Sequence, residues 1–219
     1  GLIAQGNEHF ALRQYPAEVS QSIAYYQQAL AAEAGNYEAL TKLTHAYFRM
    51  GEISPKGQKL SWYKKGEESG KLAIKANLNG PLGHFWYASC IGRRAEEQGV
   101  MNSLQIIGPL KDELEKVLAL DPNYAAAYYA LGIVYRKAPG WPLSCGDINK
   151  AEKYAKLAVQ YGPQFNYGYL GLAQVYLAQG KKALAKQELE KAVSLPPEPS
   201  ALPESLEYRA EAQALLDKL

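Results

Sequence analysis

A chain of 219 residues holds one sizeable core, or about six units of the short helical-repeat class. Its apolar fraction of 47% and charged fraction of 21% are those of an ordinary globular protein. A net charge of +2 argues against broad nucleic-acid binding, and no apolar run approaches the roughly 18 residues of a membrane-crossing helix.

The first unit opens with Gly6, Asn7 and Phe10 and returns through Ile23, Tyr26, Ala29 and Leu30. Pro16 is expected to break the first helix, Ser20 or Ser22 to cap the second, and Gly35 with Asn36 to end it in left-handed backbone. The second unit begins with Leu40, Leu43, Tyr47 and Met50 at helical spacing and stops at Gly51. Residues 54–57 read as a turn, and the return helix as about Leu60 to Asn77. Gly66 and Gly70 inside that helix cost about 1 kcal/mol each against alanine, which predicts close approach of a neighbouring helix.

A break at residues 79–83 precedes Phe85, Trp86, Tyr87, Ala88, Ile91 and Ala95, a helix ending near Gly99. Residues 100–120 supply its return partner, with Gly108 and Pro109 kinking or starting it. Then comes the strongest signal. Tyr128, Leu131, Gly132 and Tyr135 are followed by Ala151, Ala155, Ala158 and Pro163. Tyr169, Leu172, Ala173 and Tyr176 are followed by Ala185, Leu189, Ala192 and Pro197. The second halves recur at a shift of about 34 residues, the tetratricopeptide period. The first halves are offset by about 41, which places some seven extra residues in the link around Pro139, Trp141 and Cys145. Asp147 is the expected N-cap after that link. Pro196, Pro197 and Pro199 close the array, and an amphipathic helix over 203–219 reads as a solubilising cap.

The expected fold is therefore all-α: a right-handed solenoid of about five helix pairs in one repeat domain. Its units span about 1–35, 36–79, 81–122, 123–163 and 164–197. Residues 124–197 resemble tetratricopeptide repeats. The whole chain also resembles a narrower group, the T components associated with TRAP-type transporters and their relatives that regulate microtubule dynamics. Phe85-Trp86-Tyr87-Ala88 with Gly92-Arg93 carries this likeness, together with Asp121-Pro122-Asn123-Tyr124 leading into Leu131-Gly132. So do Pro139-Gly140-Trp141-Pro142 with Gly146-Asp147, and Ala214-Leu215-Leu216. The resemblance implies a periplasmic or other extracytoplasmic protein that partners a solute-binding protein. The chain begins at Gly1 without a basic-then-apolar leader, which reads as a processed or truncated sequence.

In such an array the first helix of each pair lines the concave side. The face looking into the groove is then His45, Phe48 and Arg49 in the second unit, and Trp86, Tyr87, Arg93 and Arg94 in the third. In the fourth it is Tyr129, Ile133, Arg136 and Lys137. The fifth contributes Leu170, Gln174 and Leu177. Aromatic residues precede basic ones, so the cations form a row suited to an acidic ligand or peptide, or simply complement helix C-termini. Trp141 either anchors a partner or folds back on the core. His9, His45 and His84 lack metal-ligand spacing, and no nucleophile motif is present, so neither an enzyme nor a cofactor is expected. Cys90 and Cys145 are expected to be free thiols. The expected activity is docking of a protein partner. Capture of a small organic acid is the alternative, and homo-oligomer formation a third reading.

Overall fold

The computed structural model describes residues 1–219, leaving aside the side chain of Val100. Its helices are α1 (Leu2–Phe10), α2 (Pro16–Ala32), α3 (Tyr37–Ile53), α4 (Lys56–Ala76), α5 (Pro81–Gln98) and α6 (Val100–Leu120). They continue with α7 (Ala125–Lys137), α8 (Ile148–Tyr161), α9 (Asn166–Ala178), α10 (Lys182–Ser194) and α11 (Leu202–Leu216), the last preceded by a single 3₁₀ turn. Among the described residues there is no strand, only an isolated bridge between Gly140 and Gly146. Consecutive helices pack as pairs, α1 with α2 through α9 with α10, and α11 lies on α9 and α10. The all-α repeat fold is thus present. The helices divide into two compact units, Gly1–Leu120 and Asp121–Leu219.

In the first unit, Phe10, Val19, Ile23, Tyr26, Leu43, Ala46, Tyr47 and Met50 form a continuous core, with Ile3, Leu30, Ile53 and Trp62 at its margin. Phe10, Ile23, Tyr26, Leu30, Leu43, Tyr47 and Met50 are the members that helical spacing picks out, and Val19 and Ala46 complete the core between them. The paired glycines of α4 explain themselves here. A Cβ on Gly66 would run into the Sγ of Cys90, and one on Gly70 would lie 2.8 Å from the Cβ and 3.0 Å from the Cα of Tyr87. Helix α5 therefore packs almost backbone to backbone on α4, and both positions exclude larger residues.

Several local expectations change. Pro16 begins α2 instead of breaking α1, because the first helical position has no intrahelical use for an N–H. Ser22 is buried and its hydroxyl donates to the Val19 carbonyl, so it caps nothing. Asn36 does not end α2 in left-handed backbone; its Oδ1 accepts from Ala39 N at 2.9 Å and caps α3. Gly99 and Gly180 carry the positive φ values of the chain, at 81° and 73°. Helix α3 runs past Gly51 to Ile53, and α4 starts at Lys56, about one turn before the expected Leu60. Pro109 lies inside α6.

The second unit follows the repeat pattern closely. A Cβ on Gly132 would lie 3.4 Å from Ala155 N and 3.5 Å from Ala151 O, so the small residues of α7 and α8 mark the crossing of the pair. Tyr169, Leu170, Ala173, Leu189, Ala192 and Ala212 form a second core, with Tyr208, Leu215 and Leu216 of α11 packed against it. Asp147 caps α8 as expected, its Oδ1 accepting from Asn149 N at 2.9 Å and Lys150 N at 3.1 Å.

Candidate docking faces

The first helices of successive pairs lie side by side within each unit: α3 beside α5, and α7 beside α9 beside α11. Side chains on these helices that point away from their partners make the candidate faces.

In the first unit the face is aromatic. The His45 ring stacks on Trp86 at 3.5 Å with an interplanar angle of 13°, and meets Phe10 edge-on at 4.7 Å. Trp86 also touches Phe48 (5.5 Å) and Phe85 (5.0 Å). Burial, then the charges of Arg13, Lys42 and Arg49, push the His45 imidazole well below the usual histidine range, so it is neutral at pH 7. A neutral ring stacked on an indole keeps this surface apolar.

The cations expected on this face are mostly engaged inward. Arg49 is only 2% exposed, and its Nε donates to the Arg13 carbonyl at 3.0 Å. Arg93 bridges Glu52 (2.9 Å) and Glu96 (2.7 Å), and Glu52 also accepts from the Tyr63 hydroxyl at 2.5 Å. Arg94 Nε lies 2.9 Å from Glu67 Oε2, although its N–H is not aligned for a hydrogen bond. Here the guanidiniums mainly fasten helices together. Tyr87 and Arg94, with Ile91, Gln98, Asn102, Gln105, Ile106 and Pro109, line a cavity of about 340 Å³ between α5 and α6.

In the second unit the face combines a tyrosine cluster with a polar ladder. The Tyr129, Tyr167 and Tyr208 rings from α7, α9 and α11 lie 5.1 to 6.1 Å apart, and Phe165 stacks on Tyr167 at 5.2 Å. Burial, then the neighbouring Tyr124 and Tyr129 phenols, raise the Tyr167 phenol, so this ring stays uncharged over the ordinary pH range. Two turns further along α7 and α9, and one turn along α11, Arg136 donates to Gln174 Oε1 at 2.9 Å, and Gln174 Nε2 donates to Glu211 Oε1 at 2.8 Å. Ile133 is half-buried beside this ladder, while Lys137, the last residue of α7, is exposed. Leu170, expected on this face, is instead wholly buried in the core.

Sequence reasoning finds Tyr129, Arg136 and Gln174 but misses Tyr167, Tyr208 and Glu211. The spacing held the signal: Tyr167 precedes Gln174 by two helical turns, and Glu211 follows Tyr208 by one. By pattern alone Tyr208 belongs to the apolar stripe of a terminal cap, and Glu211 to its solvated side. Only the packing of α11 beside α9 joins them to the face.

Trp141 belongs to the α7–α8 link rather than to the helix face of its own unit, and is 90% exposed. The link is tied at its base by Gly146 N to Pro139 O (2.8 Å) and Asp147 N to Tyr135 O (2.9 Å), and the Trp141–Pro142 peptide is cis. Trp141 has not folded back on the core. Cys90 is fully buried and Cys145 half-buried, and both are free thiols. Burial raises the Cys90 thiol far above its ordinary value.

Helix pairs with small residues at their crossings and a terminal helix on the last pair define a tetratricopeptide repeat protein. A tetratricopeptide family model matches residues 167–199. A solved thermophilic TPR protein of Thermus thermophilus superposes with a TM-score of 0.74 over 98% of this chain and 97% of its own, at 18% identity; the likeness is one of fold. The model for the family of regulators of microtubule dynamics, proteins 1 to 3, matches residues 4–136, and the chain belongs to that family. The narrower resemblance is thus met by these regulators rather than by the transporter T components. Regulator of microtubule dynamics protein 3 of rat is 26% identical over 206 residues, covering 85% of this chain and 43% of the rat protein. The cow protein 3 is 24% identical over 179 residues, covering 72% and 36%. The chain therefore spans less than half the length of these two relatives.

Proposed function

We propose that this chain is a docking scaffold that holds a segment of a partner protein on the first helices of its repeats, without catalysis of its own. The observation that carries this is the face of the second unit. Three tyrosines offer flat, uncharged contact area with hydroxyls at their tips, and the Arg136–Gln174–Glu211 ladder presents a cation, an amide and a carboxylate in a row. Such a surface suits a peptide, which needs apolar side-chain contact and polar partners for its main chain. Membership of the regulator family makes a component of the microtubule system the first partner to test. A solute-binding protein, expected from the resemblance to transporter components with its periplasmic setting, is the second.

The test is affinity capture and microtubule co-sedimentation with the wild-type chain and with Tyr208→Ala and Gln174→Ala. Each substitution should weaken capture by at least about tenfold, the size of a binding hot spot. Capture that ignores both substitutions refutes this face as the docking site. A second reading rests on the cavity of about 340 Å³ beside Tyr87 and Arg94, which is within the size range of small-ligand sites. There Arg94, already paired with Glu67, would exchange that carboxylate for one on a small organic acid. Native mass spectrometry of the purified protein detects such a ligand, and Arg94→Gln removes it.

A further inference from the structure

The α7–α8 link has a feature that a partner-docking face elsewhere on the unit does not use. Residues 138–146 contain no charged side chain. At their tip Trp141 is 90% and Leu143 63% exposed, with exposed Pro142 between them. Holding a tryptophan and a leucine in water forfeits about 1.5–3 kcal/mol for each side chain against burial. The link is not a loose segment: Leu143 N and Ser144 N both donate to Gly140 O, at 3.1 and 3.3 Å, above the two hydrogen bonds at its base. The fold thus presents this apolar tip in a fixed form.

The base of the tip is basic. Lys137 closes α7, and Lys150 and Lys153 lie in the first turns of α8; all three are exposed. Two of them are positioned by aromatic rings, with Lys150 Nζ 5.5 Å from the Tyr135 centroid and Lys153 Nζ 6.0 Å from that of Tyr154. Those two rings stack on each other at 5.3 Å. Asp147 adds one carboxylate to this base, where it accepts from the N-terminal amides of α8, and Glu152 binds Lys156, Gln179 and Lys181.

We propose that this link is a membrane-contact element, in which Trp141 and Leu143 enter the interfacial zone of an anionic bilayer while Lys137, Lys150 and Lys153 meet its headgroups. Tryptophan is suited to that zone, where its ring is apolar and its N–H stays wet. Lysines at the surface of an anionic leaflet add about 1 kcal/mol each, an attraction that salt screens. An uncharged apolar tip flanked by lysines at the end of α7 and the start of α8 offers both components that an anionic membrane surface attracts.

The test is co-sedimentation of the chain with large vesicles of phosphatidylcholine, with and without about 30% phosphatidylserine. The wild-type chain should pellet with the anionic vesicles, release at high salt, and remain in solution with neutral ones. Trp141→Ser with Leu143→Ser should lower the affinity at least about tenfold, and so should Lys150→Glu with Lys153→Glu. All four side chains are exposed, so the helical circular dichroism of these variants should match that of the wild type. Three results overturn the proposal: no binding to anionic vesicles, equal binding to both vesicle types, or unchanged binding by the Trp141 and Leu143 variant. Loss of a protein partner from that variant without any vesicle binding overturns it too, and makes the link a protein anchor.

Discussion

The contact between Gly66 and Cys90 has a consequence for stability that follows from its geometry. An alanine at 66 gains about 1 kcal/mol of helix propensity. Its Cβ also collides with the Cys90 Sγ, which is fully buried on α5. Overpacking of this kind costs about 1–3 kcal/mol, so after the propensity gain Gly66→Ala should be destabilising by up to about 2 kcal/mol, centred near about 1. Cys90→Ala removes a buried sulfur and leaves a small void, at about 1–1.5 kcal/mol. The double variant differs from the sum. With the sulfur gone, the remaining neighbours of the new Cβ are Cys90 Cβ at 3.4 Å and Tyr47 Cβ at 3.5 Å, which are ordinary contacts. The methyl then fills part of the void and keeps its helix propensity. The double variant should lie within about 0.5 kcal/mol of wild type, a coupling of about 2 kcal/mol. Urea unfolding followed by tryptophan emission reports on this unit, because Trp62 and Trp86 are half-buried against other rings of it while Trp141 of the second unit is already exposed. Losses that add to within about 0.5 kcal/mol would overturn this account, because they would mean that α4 and α5 separate freely at this crossing.

Other consequences concern pH, capping and the polar ladder. His45 is held neutral in the folded state, so the unfolded chain binds the extra proton below about pH 6.5. Its contribution is fully present above that value and falls as the pH drops through it, with a slope of up to about 1.4 kcal/mol per pH unit. His45→Gln should flatten this part of the stability profile between about pH 7 and 5.5, measured by urea midpoints; an unchanged slope refutes the assignment. Glu152 is held down to about 2 by its hydrogen bonds from Lys156 and then Gln179. It therefore stabilises the second unit above its unfolded value and loses that contribution progressively as the pH falls from there to about 2. Glu152→Gln should narrow the stability gap between about pH 5 and pH 2. Asp147→Ala should cost about 1 kcal/mol through the lost α8 cap, read as a lower thermal midpoint. Gln174→Leu should loosen α11, seen as faster amide exchange there than in α7, since Gln174 bridges Arg136 to Glu211.

Features that depend on spacing along one helix are legible in the chain before it folds. Leu131, Gly132 and Tyr135 against Ala151 and Ala155 identify a helix pair without any coordinates, because residues three and four apart share a face and small residues mark close crossings. The Gly66 and Gly70 pair announces a tight neighbour for the same reason, and Asp147 announces a cap because its effect is confined to one helical turn. What lies beyond reach are choices made by partners distant in sequence. Arg49, Arg93 and Arg136 look alike in the repeat register. Yet the fold buries the first against Arg13, clamps the second between Glu52 and Glu96, and threads the third into a ladder ending at Glu211. Trp141 sits in a link whose sequence allows it to cover the core or to face solvent, and its 90% exposure is decided by the folded chain alone. Helical periodicity is local and survives in one dimension. Whether a charge is paired or an indole covered depends on contacts between residues tens of positions apart, and these exist only once the helices have stacked.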